Sequence, residues 1–174
     1  TDETALVNAN SPYAFTVSYG DYYKDNLKNS KIPVVVSESH AVNITDENTA
    51  HALLKTTNKA GVLPIDADKS WDYKDAITGN GENVAAEGVM TNEDKKSSRV
   101  VVFGSYIMFS DTIMKYNSFN NSAYFMNVIN QFESLFFEEY VAAHGVWNLA
   151  IENFRGDHSV PIMTIHKSKG LEYN

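Results

Sequence analysis

The fold expected from this sequence depends most on one stretch, Arg99-Val-Val-Val-Phe-Gly-Ser-Tyr-Ile-Met-Phe-Ser-Asp111. Four consecutive apolar residues, Val100–Phe103, follow a polar run and stop at Gly104. A short β-branched run without alternation is typical of a strand that is buried on both faces, as in a parallel sheet. Gly104 and Ser105 then predict a turn, and residues 120–140 predict a helix that packs back onto the strand. We therefore expect an α/β unit with this strand near its centre.

The segments on the N-terminal side of this stretch predict further strands. Residues 13–18 alternate between apolar and polar types, which favours an edge strand, and residues 21–29 predict a short helix. Residues 32–36 form a second β-branched run, and residues 84–90 predict a strand of small side chains. The apolar run at residues 50–57 is compatible with either a strand or a helix.

The C-terminal part of the chain predicts helices and one strand. From about Ala123, apolar residues spaced three and four apart predict an amphipathic helix, and residues 146–154 predict a second one. Residues 160–165 read as a strand. The expected fold class is α/β, with a mostly parallel open sheet flanked by helices in a single domain. We expect the α/β domain to cover residues 1–130, and a helical segment with a strand and a turn to cover residues 131–174.

Composition limits the classes of function. The chain has 174 residues, 43% of them hydrophobic, and a net charge of -8, so a sizeable core is expected. The negative charge excludes a general attraction to nucleic acid or to an anionic membrane surface. The absence of cysteine excludes disulfides and thiolate zinc sites. No apolar run approaches the roughly 20 residues that span a bilayer.

Searches for catalytic motifs give negative results. Gly104 and Ser105 lack the flanking residues of a Gly-x-Ser-x-Gly nucleophile turn. The five histidines show no zinc-binding spacing, and the sequence contains no phosphate-binding loop. We therefore expect no catalytic residue, no metal site and no cofactor, in a protein that is not an enzyme.

Polar residues that follow two predicted strands are the candidates for a ligand site. Glu38 and His40 come directly after the strand at residues 32–36, and Ser105 follows the strand that ends at Phe103. In open α/β sheets, ligands bind beyond the carboxyl ends of the strands. The three residues therefore predict a small-molecule site, and a surface turn is the alternative interpretation.

Several segments between residues 31 and 130 recur in the order typical of one protein family. These segments are Lys31–Val36, Ala52–Ala60, Ala85–Gly88, Ser98–Ser105 and Asn120–Asn130. Together they resemble the extracytoplasmic domain of the gliding-motility-type auxiliary component of ABC transporters. The chain departs from that family after Gly104, where Tyr106-Ile107 stands in place of an early acidic residue.

This resemblance implies a flavodoxin-like or amidotransferase-like α/β fold without a known active site. It also implies a non-enzymatic domain of a transport system that acts by protein or ligand contact. The implied partners are the membrane and ATPase subunits of an ABC transporter, reached through the parent protein. The implied location is the extracytoplasmic face of a bacterial membrane, with the parent protein anchored there.

The C-terminal segment resembles a different family. Within residues 134–174, Met163-Thr-Ile-His-Lys-Ser-Lys-Gly-Leu-Glu-Tyr173 is similar to the motif of UvrD-type superfamily 1 DNA helicases that joins the DNA groove to the nucleotide. The resemblance implies that His166 contacts single-stranded DNA and that Glu172 binds the ATP ribose. The other matched positions would shape the loop between them; they are Thr164, Lys169 and Gly170.

The helicase resemblance defines an alternative function. ATP hydrolysis requires a phosphate-binding loop, which this sequence lacks, so a UvrD-like fragment of this length would be inactive alone and cytoplasmic. We expect no nucleic-acid binding by this chain, and the simpler interpretation is an edge strand at residues 160–165 followed by a solvated turn. The junction of the two resemblances leaves a natural fusion, an artificial joining and an accidental likeness open as explanations.

Overall fold

The computed structural model shows a six-stranded sheet with short helices. It describes residues 1–64, 66–68, 70, 76–77, 79–93, 95 and 97–131, together with the backbone of residues 162–164. The strands are β1 (Ala14–Tyr19), β2 (Val34–Ser37), β3 (Ala50–Lys55), β4 (Asn83–Thr91), β5 (Ser97–Phe103) and β6 (Ile162–Thr164). The helical elements are a 3₁₀ turn (Ile107–Phe109), α1 (Asp111–Met114) and the helical residues 121–131, which we call α2.

The sheet is antiparallel except at one end. Its strand order is β2-β1-β3-β4-β5-β6, and every neighbouring pair from β2 to β5 is antiparallel. Of the strands that the structure describes, only β6 runs parallel to its neighbour, with Val101 opposite Ile162 and Phe103 opposite Thr164. β1 turns the sheet, because its first residues pair with β2 and its last two, Ser18 and Tyr19, pair with β3.

The structure therefore contradicts the prediction of a mostly parallel open sheet flanked by helices. It also contradicts the flavodoxin-like or amidotransferase-like fold that the resemblance implied. The run Val100–Phe103 is fully buried on one face of the sheet only. Val101 and Phe103 are buried, whereas Val100 and Val102, on the other face, are partly exposed. Only residues 92–96 connect β4 to β5. A parallel connection needs a crossover of about a dozen residues or more, so this hairpin forces antiparallel pairing.

The individual strands are predicted better than their arrangement. β2, β4 and β5 lie where β-branched or small-residue runs predict them, and the ambiguous run at residues 50–57 contains strand β3. β1 is a strand as expected, but it lies inside the sheet and not at an edge. Residues 21–29 form bends and turns, not the expected helix. The helix prediction at 146–154 and the end of the one at 120–140 lie outside the described residues, and the domain division at residue 130 stays a prediction.

The core forms where α2 and the 3₁₀ turn cover one face of the sheet. Tyr124 and Val128, four residues apart on α2, are both buried, as the helical spacing requires. Phe109 packs edge-on against Phe103 with ring centroids 5.0 Å apart. The buried apolar cluster draws on all five antiparallel strands; it comprises Phe15, Val17, Val34, Val36, Leu53, Leu54, Val84, Ala85, Val101, Phe103, Met108, Tyr124 and Val128.

Side chains close the outer edge of β2, which has no neighbour on that side among the described strands. The amide of Asn121 imitates a neighbouring strand: Val35 N donates to its Oδ1 at 2.9 Å, and its Nδ2 donates to Val35 O at 2.7 Å. Two residues further on, Ser105 Oγ donates to Ser37 O at 2.6 Å. Asn120 N donates to Pro33 O at 2.9 Å. The carbonyls that face away from β1 are thus satisfied, and this edge offers no template for another strand.

We expect Asn121→Ala to destabilise the protein by about 2 kcal/mol, because it leaves the N–H and C=O of Val35 buried without partners. The opened edge should also promote self-association. Urea unfolding and size-exclusion chromatography measure the two effects. Asn130→Ala, an exposed asparagine on the same helix, is the control and should change neither. Equal stability of the two variants would contradict the role given to Asn121.

Candidate functional site

Glu38 and His40 lie at the mouth of a cavity of about 470 Å³ beyond the end of β2. We call it the strand-end cavity. Its walls come from the N-terminal segment, from the turn after β2 and from the ends of β3 and β4. The described residues that line it are Thr1, Tyr13, Phe15, Glu38, Ser39, His40, Ala41, Thr56, Ala60, Gly61, Val62, Leu63, Glu82 and Val84.

The backbone of the turn after β2 fixes the position of Glu38 and His40. Glu38 adopts the left-handed conformation, with φ of 49°, and its N–H donates to Tyr13 O at 3.1 Å. His40 N donates to Gly104 O at 2.9 Å. A Cβ atom on Gly104 would lie 2.1 Å from His40 O, so only glycine allows this close approach of the two chains.

The strand-end cavity has both apolar and polar side chains in its lining, and most of its buried residues are apolar. Phe15, Ala60 and Val84 are buried and form the floor. Tyr13 and Leu63 are 52% and 54% exposed, so the rim presents large apolar side chains to solvent. A concave apolar surface with a few polar groups at its entrance is the usual form of a small-molecule site.

The third predicted site residue, Ser105, does not line this cavity. It is completely buried, and its hydroxyl bonds the backbone of Ser37, donating to the C=O and accepting from the N–H at 3.4 Å. Ser105 therefore holds the end of β2 in place and does not face the cavity. Of the three residues expected to form one site, the structure brings Glu38 and His40 together and gives Ser105 a structural role.

A second polar cluster was not predicted from the sequence. Its centre is Glu87 on β4, which is 1% exposed. Arg99 donates to Glu87 Oε1 at 3.0 Å, and Tyr23 OH donates to Oε2 at 2.8 Å. His51 Nε2 lies 2.7 Å from Oε2; its ring is not aligned for a hydrogen bond, so the contact is an ion pair when the imidazole is protonated. We call these four residues the Glu87 cluster.

Strand register explains how these side chains meet. His51 on β3 lies directly opposite Glu87, and Arg99 lies opposite Val89, which is two residues from Glu87 on the same face of β4. Direct and diagonal cross-strand neighbours are within reach of long side chains. The available signal in the sequence was an acidic residue between Ala86 and Gly88, inside an otherwise apolar strand.

The loop after β1 covers the Glu87 cluster and leaves a cavity of about 300 Å³ beside it. Tyr23 has φ of 62°, an unusual conformation for a bulky residue, and its carbonyl accepts a hydrogen bond from Asn127 on α2. Burial, reinforced by the charge of Glu87, raises the pKa of the Tyr23 phenol well above its ordinary value. The ring of Tyr22 stacks on His51 with centroids 3.6 Å apart.

The carboxylates of the Glu87 cluster and of the strand-end cavity differ in their contacts. Both oxygens of Glu87 are engaged by partners from β3, β5 and the loop, so this carboxylate joins elements of the fold. The carboxylate of Glu38 is exposed and makes no hydrogen bond or ion pair with any described residue. Within the part of the chain that the structure describes, no group of three acidic or histidine side chains could hold a metal ion.

The helicase-like positions fall mostly beyond the described residues. Thr164 is the last residue of β6, where its backbone pairs with Phe103 on β5. The other four positions lie outside the described residues; they are His166, Lys169, Gly170 and Glu172.

Comparison with known proteins gives no assignment: no protein-family model, no curated protein and no solved structure matches this chain. Among the described residues, no helix combines the length and the apolar character needed to cross a bilayer.

We expect Tyr23→Phe to lower the free energy of unfolding by about 2 kcal/mol at neutral pH, because it removes a hydrogen bond to a charged group. The difference from the wild type should shrink in alkali. The folded state holds the phenol proton more tightly than the unfolded state, so the wild type loses this contribution as the pH rises above the ordinary tyrosine pKa of about 10.

Urea unfolding at neutral pH and near pH 11 measures this convergence. Tyr116→Phe is the matched control, because Tyr116 is exposed and should show little effect at either pH. A Tyr23→Phe deficit that stays constant across this range would show that the phenol of Tyr23 does not titrate with a raised pKa.

Proposed function

We propose that this chain is a non-enzymatic domain of the auxiliary protein of an ABC-type transport system, and that it acts by contact with a protein or a ligand. The observation that carries the proposal is the strand-end cavity, whose apolar floor and open rim suit binding. The location that goes with this function is the extracytoplasmic face of a bacterial membrane.

The segments that resemble the transport auxiliary family support the proposal by their mutual contacts. Asn120 and Asn121, at the start of α2, bond the backbone of β2. Gly104 and Ser105, after β5, hold the turn that follows β2. Residues that are far apart in the sequence thus form one unit around the end of β2. The support comes from these segments and not from the mostly parallel α/β fold, which the structure contradicts.

The state of the carboxylates supports binding over catalysis. A general base needs a free lone pair within hydrogen-bond reach of the proton that it abstracts. Glu87 is the most buried of the described glutamates. Its two carboxylate oxygens already contact Arg99, Tyr23 and His51, so they are not available to abstract a proton. Glu38 is exposed at the cavity mouth, where it can attract a ligand.

The partners in this proposal are the membrane and ATPase subunits of the transporter, and cross-linking in the parent protein tests them. The chain has no cysteine, so Leu63→Cys introduces a unique attachment point in this domain for a photoreactive benzophenone. We expect Leu63→Cys, at the cavity rim, to cross-link to the membrane subunit in bacterial membranes. Met90→Cys is the control, because Met90 is 76% exposed and does not line the cavity.

The outcome that would contradict the transport proposal is specific. It is the absence of any transporter subunit in the cross-linked products of Leu63→Cys, in membranes where the transporter is shown to be assembled. Equal cross-linking from both positions would place the contact elsewhere than the strand-end cavity.

A fragment of a UvrD-like helicase is the second candidate, and the stretch Met163–Tyr173 favours it. We expect no binding of fluorescent oligothymidine at low salt, because a chain with a net charge of -8 repels a polyanion. Fluorescence anisotropy at increasing salt concentration measures this. Binding that weakens steeply with salt would favour the helicase fragment over the transport domain.

A further inference from the structure

The strand-end cavity has a charge pattern that selects among ligands. Two carboxylates, Glu38 and Glu82, line it, and its described lining contains no lysine or arginine. Thr1 N, at its wall, donates to Gly61 O at 2.9 Å, and His40 also lines it. Because carboxylates outnumber lysine and arginine side chains in the described lining, this part of the cavity favours positive charge over negative charge.

The cavity also has apolar surface that remains exposed. Tyr13, Val62 and Leu63 are large apolar side chains that face solvent at its rim, above the buried floor. A ligand gains most here by burying an apolar body, since the hydrophobic contribution grows with the apolar surface that is removed from water. The ring of Tyr13 adds an electron-rich face that attracts cations.

The backbone at Glu38 has an unusual conformation. Like Tyr23 and Lys95, Glu38 is a non-glycine residue in the left-handed region, which is disfavoured for residues that carry a Cβ atom. Glycine or asparagine would occupy this turn without that cost. The structure nevertheless has a glutamate here, with its carboxylate at the cavity mouth and without a protein partner among the described residues.

We propose that the strand-end cavity binds an organic cation with an apolar body, and that Glu38 selects for its positive charge. This inference rests on the proposed function, because it names the ligand class of the same cavity. The same chemistry is present in a free alkyl or aryl amine and in a lysine side chain of a partner peptide.

Three probes that share an apolar body and differ in charge test the proposal: phenethylammonium, phenethyl alcohol and phenylacetate. We expect phenethylammonium to shift the backbone amide signals of Ala41 and Gly61 in ¹⁵N-labelled protein, with affinity at least about fivefold higher than that of the alcohol. Phenylacetate should bind most weakly. The peptide pair acetyl-Phe-Lys-amide and acetyl-Phe-Gln-amide shows whether a peptide lysine or a free amine is preferred.

Variants at Glu38 separate binding from stability. Glu38→Gln should remove the preference for the cation over the alcohol and leave the fold unchanged. Glu38→Gly should remove the same preference while it raises Tm, because glycine relieves the left-handed conformation. Glu47→Gln, which removes an exposed loop carboxylate away from the cavity, is the control and should retain the preference.

The results distinguish this inference from the proposed function. If the alcohol or phenylacetate binds as well as phenethylammonium, the ligand class is wrong and the cavity still binds. If none of the three probes and neither peptide shifts the cavity signals, the cation proposal is overturned. In that case the cross-linking of Leu63→Cys still tests, independently, whether the cavity rim contacts a transporter subunit.

Discussion

The structure depends on hydrogen bonds that close the free edge of β2. A short edge strand with alternate backbone groups unpaired is a weak element, because each buried N–H or C=O without a partner costs free energy. Asn121 supplies both a donor and an acceptor to Val35, and Ser105 does the same for Ser37. These side chains make the hydrogen bonds that a further strand would make, and they also attach α2 and the 3₁₀ turn to the sheet.

The same constraint positions the candidate site. Because Ser105 fixes the last residue of β2, the chain must leave the sheet at Glu38, and the left-handed turn there directs it across the backbone of Gly104. The contact between His40 N and Gly104 O then holds the far side of the turn. Backbone hydrogen bonds thus hold the chain on both sides of Glu38.

The sequence predicts elements here better than it predicts their arrangement. An apolar run such as Val100–Phe103 indicates a strand but does not fix the kind of sheet. The run suits a parallel strand that is buried on both faces, and it equally suits an antiparallel strand with one face buried and the other partly exposed. The connection at residues 92–96 decides between the two, because it is too short for a crossover and therefore requires antiparallel pairing. Glu38 and His40 were predicted from a rule for parallel strands, and they line a cavity in an antiparallel sheet for a different reason, the turn over Gly104. The Glu87 cluster could not be predicted, because the contact with Arg99 exists only in one register.

The two glutamates show how environment assigns different roles to the same side chain. Glu87 is buried, and a buried charge is tolerated when it is paired and hydrogen-bonded, so its partners on β3 and β5 and in the loop after β1 offset the cost of burying it. Glu38 is exposed and needs no partner, so nothing in the fold requires a charge at that position. The backbone there would be more stable with glycine. Glu38 thus combines a charge that folding does not require with a conformation that folding disfavours, and the proposal of a cation site uses this charge.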